Sequence, residues 1–334
     1  MPVTDRRRFL TLTAAAIGLP APARAQQPAA AYPGSRPLHI IVPFAAGGGP
    51  DLLVRKLAPR LTQAFGPEAV IVVENVVGAG GIVAAQNVAR SAPDGLSLLL
   101  GASSHVVQKA MQPSVRFDPL KDFTHIGRVA TSSSVLVVAA DSPYRSLDDL
   151  LAAARQAPGR LNYASGGVGS AAHLCAAALL VHAGLQALHV PYKGSVEIVP
   201  SIIAGDTQFA FPIAATAVPQ VRGGKVRALA VTGTQRMAAL PDVPTLAELR
   251  RASELVLDAW FGLWAPAGTP PPVVQAVHRA VQLASDDTNF RSEIEASGSL
   301  VATSVSPAEF TRFIEAETQK FTRLVKAARL TVSG

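Results

Sequence analysis

The sequence predicts an α/β protein of two lobes, and three observations predict it. Short apolar runs alternate with segments of helical period along nearly the whole chain. Several of those runs are apolar at every position, as strands are when helices cover both faces of a parallel sheet. Two glycine-rich turns, at 47–49 and 166–169, each stand where a strand hands over to a helix, one in each half of the chain.

Residues 1–25 read as an export leader rather than as part of the fold. Arg6, Arg7 and Arg8 precede an apolar run, and Ala23-Arg24-Ala25 supplies a small-x-small cleavage pattern, so the mature chain is expected in a bacterial periplasm. The Arg-Arg-x-Phe-Leu arrangement resembles a twin-arginine signal, and a Sec signal with a basic start looks similar. Residues 26–35 read as a flexible mature terminus.

The expected strands are HIIVPF (39–44), AVIVVEN (69–75), LSLLLG (96–101), SSVLVVAA (133–140), ALHVPY (187–192), KVRALAVTG (225–233) and AWFGLWA (259–265). Ser146 to Asp149 and Ser306 to Glu309 have the spacing of a helix-capping box. Phe310, Phe313, Ile314, Phe321, Leu324 and Val325 form one stripe of a last helix, which reads as core packing. Pro59 lies inside the first helix and is expected to kink it.

Composition narrows the function. At 49% hydrophobic and 16% charged over 334 residues, the chain has globular composition and length for two cores. No apolar run approaches the ~20 residues of a membrane span, so no membrane insertion of the mature protein is expected. Without the leader the formal charge falls from +7 to +4, and the basic residues are scattered, which argues against nucleic acid as a partner. The single cysteine, Cys175, excludes a disulfide framework and a paired-cysteine zinc site, and in AAHLCAAALL it reads as a buried small hydrophobe. No metal or cofactor is expected.

The glycine turns carry the chemistry. Neither has the lysine of a P-loop. Gly167-Val168-Gly169-Ser170-Ala171-Ala172 matches a dinucleotide fingerprint, but no carboxylate follows at the distance that would hold a ribose. Ser170 and His173 lie three apart on one helical face, which permits a Ser–His hydrolase couple, although a serine at an N-cap ordinarily has its oxygen occupied by backbone amides. An anion cradle fits best. Helix-start amides each contribute about 1.5–3 kcal/mol to a charged acceptor, and a micromolar complex needs about 8 kcal/mol.

A family resemblance strengthens that reading. Pro43 to Asp51 (PFAAGGGPD), Val73-Glu74-Asn75 with Gly78-Ala79-Gly80-Gly81, Ala92 to Gly95, Tyr163 to Ser170 with His173-Leu174, Val190 to Gly194, Leu240 to Thr245 and Ala265 to Pro270 resemble, in order, the Bug proteins. These are the periplasmic substrate-binding proteins of tripartite tricarboxylate transporters. The resemblance implies a periplasmic-binding-protein-like bilobal fold. It also implies a monomeric, non-enzymatic receptor that closes on a small carboxylate and meets the membrane components of such a transporter, or a membrane sensor kinase. The lobes are expected at 36–132 with 256–334, and at 133–255. Carried over, the ligand residues are Phe44, Gly47, Gly48 and Asp51 in one lobe and Ser165, Gly167, Gly169, Ser170 and His173 in the other. Tyr192, Lys193, Gly194, Trp260, Phe261, Ser103 and Ser104 are expected along the cleft. Asp51 would repel an anion, so it is expected to orient its loop. Lys193 fits a ligand partner and a solvated lysine equally, and Trp260 fits core and cleft wall equally. Members often carry an acid in the stretch matching Gln208 to Pro212; its absence here argues against an amino-acid ligand.

Overall fold

The computed structural model describes residues 32–112, 114–250, 255–302, 305–327 and 330; the expected leader lies outside the described residues. Elements are numbered in chain order. The first sheet holds β1 (Leu38–Val42), β2 (Ile71–Asn75), β3 (Ser97–Ala102), β4 (Phe123–Ser132), β10 (Ala259–Pro266) and β11 (Ser299–Val301), in the order β11-β4-β10-β3-β1-β2. The second holds β5 (Val135–Ala139), β6 (Asn162–Ser165), β7 (Leu188–Pro191), β8 (Phe209–Ala210) and β9 (Val226–Val231), in the order β7-β6-β8-β5-β9. The chain leaves the first sheet after β4 and returns at β10, where Ala259 pairs with Ser132.

All seven expected strands are present, with ends shifted by a few residues. The sheets, however, are mixed. β1 runs parallel to β2 and β3, and β6 to β7 and β8, whereas β10 is antiparallel to β3 and β4, and β5 to β8 and β9. β10 is buried at every position and β5 at four of five. Continuous apolarity therefore reports burial on both faces here, whichever way the neighbour runs.

Alternation along the strands divides the first sheet's core. On one face Leu38, Ile40, Val42, Leu98 and Leu100 pack with α1 (Gly49–Phe65) and α9 (Pro271–Asp286). On the other, Leu99, Trp260 and Trp264 pack with α2 (Ile82–Ala89), α3 (Ser103–Met111) and α11 (Pro307–Ala327). The stripe of α11 buries Phe310, Ile314, Phe321 and Val325 as expected, and also Glu317. α1 continues through Pro59 to Phe65. Both capping boxes form: Ser146 Oγ accepts the Asp149 amide while Asp149 accepts the Ser146 amide, and Ser306 and Glu309 do the same. Cys175 is buried in α5 (Ala171–Ala183), and burial pushes its thiol up to about 12.

Candidate functional site

Three helices, α1, α3 and α5, are the elements that follow β1, β3 and β6; α3 begins directly at the end of β3, and α1 and α5 begin after the two glycine turns. Their starts line one cavity, through Pro50, Ser103, Ser104, Ser170, Ala171 and Ala172. Phe44 and Phe261 stand in its wall, edge to face with ring centroids 6.5 Å apart. The carboxyl ends of strands are where open α/β sheets bind ligands, and helix starts point free N–H groups and the positive end of the dipole there. The hydroxyl of Ser104 is buried in this wall without a hydrogen-bond partner.

The first turn is held from behind by a buried carboxylate. Asp51 Oδ2 accepts the Gly47 amide at 2.8 Å and Arg55 Nε at 2.9 Å, and Oδ1 accepts Asn75 Nδ2 at 2.9 Å. Asn75 also donates to the Phe44 carbonyl. Burial pushes the Asp51 carboxyl up, but the Arg55, Gly47 and Asn75 hydrogen bonds and the Arg55 charge outweigh it and hold it below the ordinary 3.8. Asp51 thus ties the loop to the start of α1 through the Gly47 amide. The Gly47 amide is committed to it and faces away from any ligand.

The second turn rests on stacked rings. The His173 and His189 rings lie parallel, 4.0 Å apart, with Tyr163 stacked on His189 at 4.9 Å. His173 Nδ1 accepts the Gly169 amide at 3.0 Å, and Ser165 Oγ bonds His189 Nε2 at 2.6 Å. Ser170 Oγ accepts the His173 backbone amide at 3.4 Å, a helix cap. Burial, and for His173 also His189, lowers these rings to about 3 for His173 and about 4 for His189. Burial likewise lowers His105, whose Nδ1 accepts the Ala102 amide at the start of α3, to about 4. An unfolded histidine takes up its proton near 6.5, so the stability these neutral rings confer is complete above that pH. It is lost as pH falls from about 6.5 towards 3–4. The urea midpoint is therefore expected to fall between pH 7 and pH 4.5, and a His173→Phe variant to show a shallower fall.

The two sheets' loops touch across the cleft. A Cβ on Gly48 would lie 3.1 Å from Ser195 Oγ, one on Gly194 3.0 Å from the Ala45 Cβ, and one on Gly80 2.8 Å from the Val168 carbonyl oxygen. Gln108 of α3 donates from Nε2 to that same carbonyl. Beyond Phe44 lies a second, larger space of ≈ 1230 Å³, lined by Gly78 to Gly81, Gly167, Tyr192 and Lys193.

The expected residues divide accordingly. Phe44, Ser103, Ser104, Ser170 and Phe261 line the inner cavity. Gly167, Tyr192 and an exposed Lys193 line the outer one, and Gly48 and Gly194 are where the loops approach closely. Asp51, Ser165 and His173 support the turns from behind, with all three buried, and Gly47 and Gly169 are the turn residues whose amides Asp51 and His173 hold. Trp260 is corrected to a core residue: it is 1% exposed, and its indole N–H donates to Glu317 at 2.9 Å. Neighbours on a strand face opposite ways, so Trp260 and Phe261 cannot share a wall. Gln208 is tied to Asn162 and Gly205, and Pro212 is the residue of its stretch that lines the cavity. Gln108, Ser195 and Ile213 are site residues that the sequence reading does not name; Ser195 and Ile213 each stand one residue past a stretch it singles out, and Gln108 lies further along α3 than Ser103 and Ser104.

The chain matches the profile of the tripartite tricarboxylate transporter family receptor (TctC) over residues 53–330. It belongs to that family. BugT of Bordetella pertussis is 33% identical over 316 residues, covering 93% of this chain and 94% of BugT. The structure is similar to that of the periplasmic binding protein BugD, with a TM-score of 0.84 and 30% identity over 89% of this chain and 98% of BugD. A protein of R. palustris solved with adipate is equally similar, with a TM-score of 0.84, 29% identity, and the same coverage of both chains. The fold is therefore the bilobal α/β fold of periplasmic binding proteins, and this TctC receptor has its helix starts gathered at one cavity. No described helix is long and apolar enough to cross a membrane.

Proposed function

We propose that the protein is a periplasmic receptor that binds a small carboxylate in the inner cavity and delivers it to the membrane components of a tripartite tricarboxylate-type transporter. The observation that carries this is the gathering of the α1, α3 and α5 starts, with the partnerless Ser104 hydroxyl, around one cavity that has no charged side chain. Donors without a counter-charge suit an anion that must be held and released unchanged. The adipate bound to the R. palustris relative supports the same class of ligand.

In this reading the leader at 1–25 directs export, and the mature chain acts as a monomer. The segments 36–132 with 256–334 form one lobe and 133–255 the other. The paired crossings at Ser132 and Ala259 act as the hinge. Hydrolysis by Ser170 and His173 fits poorly. The serine oxygen accepts a backbone amide, and the ring nitrogen nearest the turn is taken by Gly169.

Thermal unfolding tests the reading on protein unfolded and refolded to remove any ligand it carries. A carboxylate at 100 times its dissociation constant should add ~2.7 kcal/mol, a rise of several degrees at this size. The matching amide should give no rise. Equal rises with acid and amide would end the carboxylate reading.

A further inference from the structure

The inner cavity differs from its surroundings in what it lacks. Its polar side chains are four serines, Ser103, Ser104, Ser170 and Ser195, and no lysine, arginine, histidine, asparagine or glutamine is among its lining residues. The rest of the wall is apolar, with Phe44, Phe261, Ile198, Ile213 and Pro212 the bulkiest contributors. Asp51, next to the lining residue Pro50, is already paired with Arg55 and supplies no free charge to the wall. A single anionic group can be satisfied where the α3 and α5 starts meet, by amides and the buried Ser104 hydroxyl. A second carboxylate in the same cavity would lose its water with no cation and few donors to replace it.

We propose that the ligand is a monocarboxylic acid with an uncharged, apolar body, its carboxylate at the Ser104 end of α3 and its body against Phe44, Phe261 and Ile213. This inference rests on the carboxylate-receptor reading and narrows it to one anionic end. It departs from the dicarboxylate seen with the R. palustris relative. The lysine that a second carboxylate would need is Lys193, which is exposed and lines the outer space on the far side of Phe44.

Titration calorimetry on ligand-free protein with matched pairs separates the possibilities: butyrate and succinate, hexanoate and adipate, benzoate and terephthalate, and the amides of the three monoacids. At least one monoacid is expected to bind 30-fold or more tighter than its diacid and its amide. Ser104→Ala is expected to weaken that monoacid about tenfold and leave the melting temperature of the free protein within a degree or two. A diacid binding as tightly as its monoacid, with the amide silent, overturns the inference and leaves the carboxylate receptor standing. Loss of that diacid in Lys193→Ala would then show that the ligand reaches past Phe44. An amide that binds as well as its acid, or no binding by any acid, overturns both.

Discussion

Gly80→Ala is expected to fold and to bind its ligand about 100-fold more weakly, a loss of about 2.7 kcal/mol. Gly80 has φ +65°, in the left-handed region, where a Cβ costs roughly 1–2 kcal/mol. That cost falls on stability. The affinity loss has a different origin, because the new methyl would sit 2.8 Å from the Val168 carbonyl oxygen and closer still to Gln108 Nε2. The glutamine amide can swing aside. The carbonyl belongs to the backbone of the second glycine turn, so the two lobes must part to admit the methyl. An opened cleft leaves the ligand with the donors of one lobe. Gly159→Ala is the control: φ is +75° there and nothing lies within 4 Å of the added carbon. It should show the same backbone penalty in melting temperature and an unchanged dissociation constant. If calorimetry gives Gly80→Ala wild-type affinity, contact between Gly80 and Val168 is not a feature of the liganded form.

The contrast between Gly80 and Gln108 also shows how far sequence reasoning reaches into this site. A glycine cluster between a strand and a helix is a local signal, and both turns are legible in the sequence. Their partners across the cleft are not. Ser195 and Ile213 are ordinary residues that the crossing of the chain between sheets brings to the inner cavity, and the same crossing brings the Val168 carbonyl to Gln108 beside the outer space. The strands show the same limit. β5 and β10 announce themselves by apolar runs. β4 reads FTHIGRVATS, with no apolar run to mark it, because its polar side chains are accommodated by contacts that the strand's own sequence does not show. His125 bonds the Pro119 carbonyl and Thr311, and Arg128 lies over the Phe313 ring at 4.7 Å. Trp260 stays open between core and cleft in the sequence for a related reason: which face of β10 meets the cleft depends on where α1 and α11 pack, and neither is encoded near residue 260.

Asp51→Asn is expected to lower stability at pH 7 by about 2–3 kcal/mol, and to weaken ligand binding tenfold or more. The carboxylate accepts three hydrogen bonds in a 1% exposed position, from the Gly47 amide, Arg55 and Asn75. An asparagine offers one acceptor and turns an NH2 towards donors that need an oxygen. With its oxygen towards Asn75, the NH2 faces the Gly47 amide and Arg55, which lose their acceptor; with its oxygen towards Gly47, the NH2 faces Asn75 Nδ2, so in either pose the loop that carries Phe44 and the start of α1 loses part of its anchor. The pH dependence separates lost charge from lost shape. The folded Asp51 carboxyl lies below the 3.8 of an unfolded one, so its contribution is complete above about 3.8 and is lost as pH falls through the folded value. Urea unfolding of wild type and variant should therefore differ most at neutral pH and converge in acid. The neutral histidines lose their contribution in both proteins alike and drop out of the difference. A gap as wide at pH 2.5 as at pH 7 would mean that the position needs the shape of the side chain, and that the charge on Asp51 does not hold the loop.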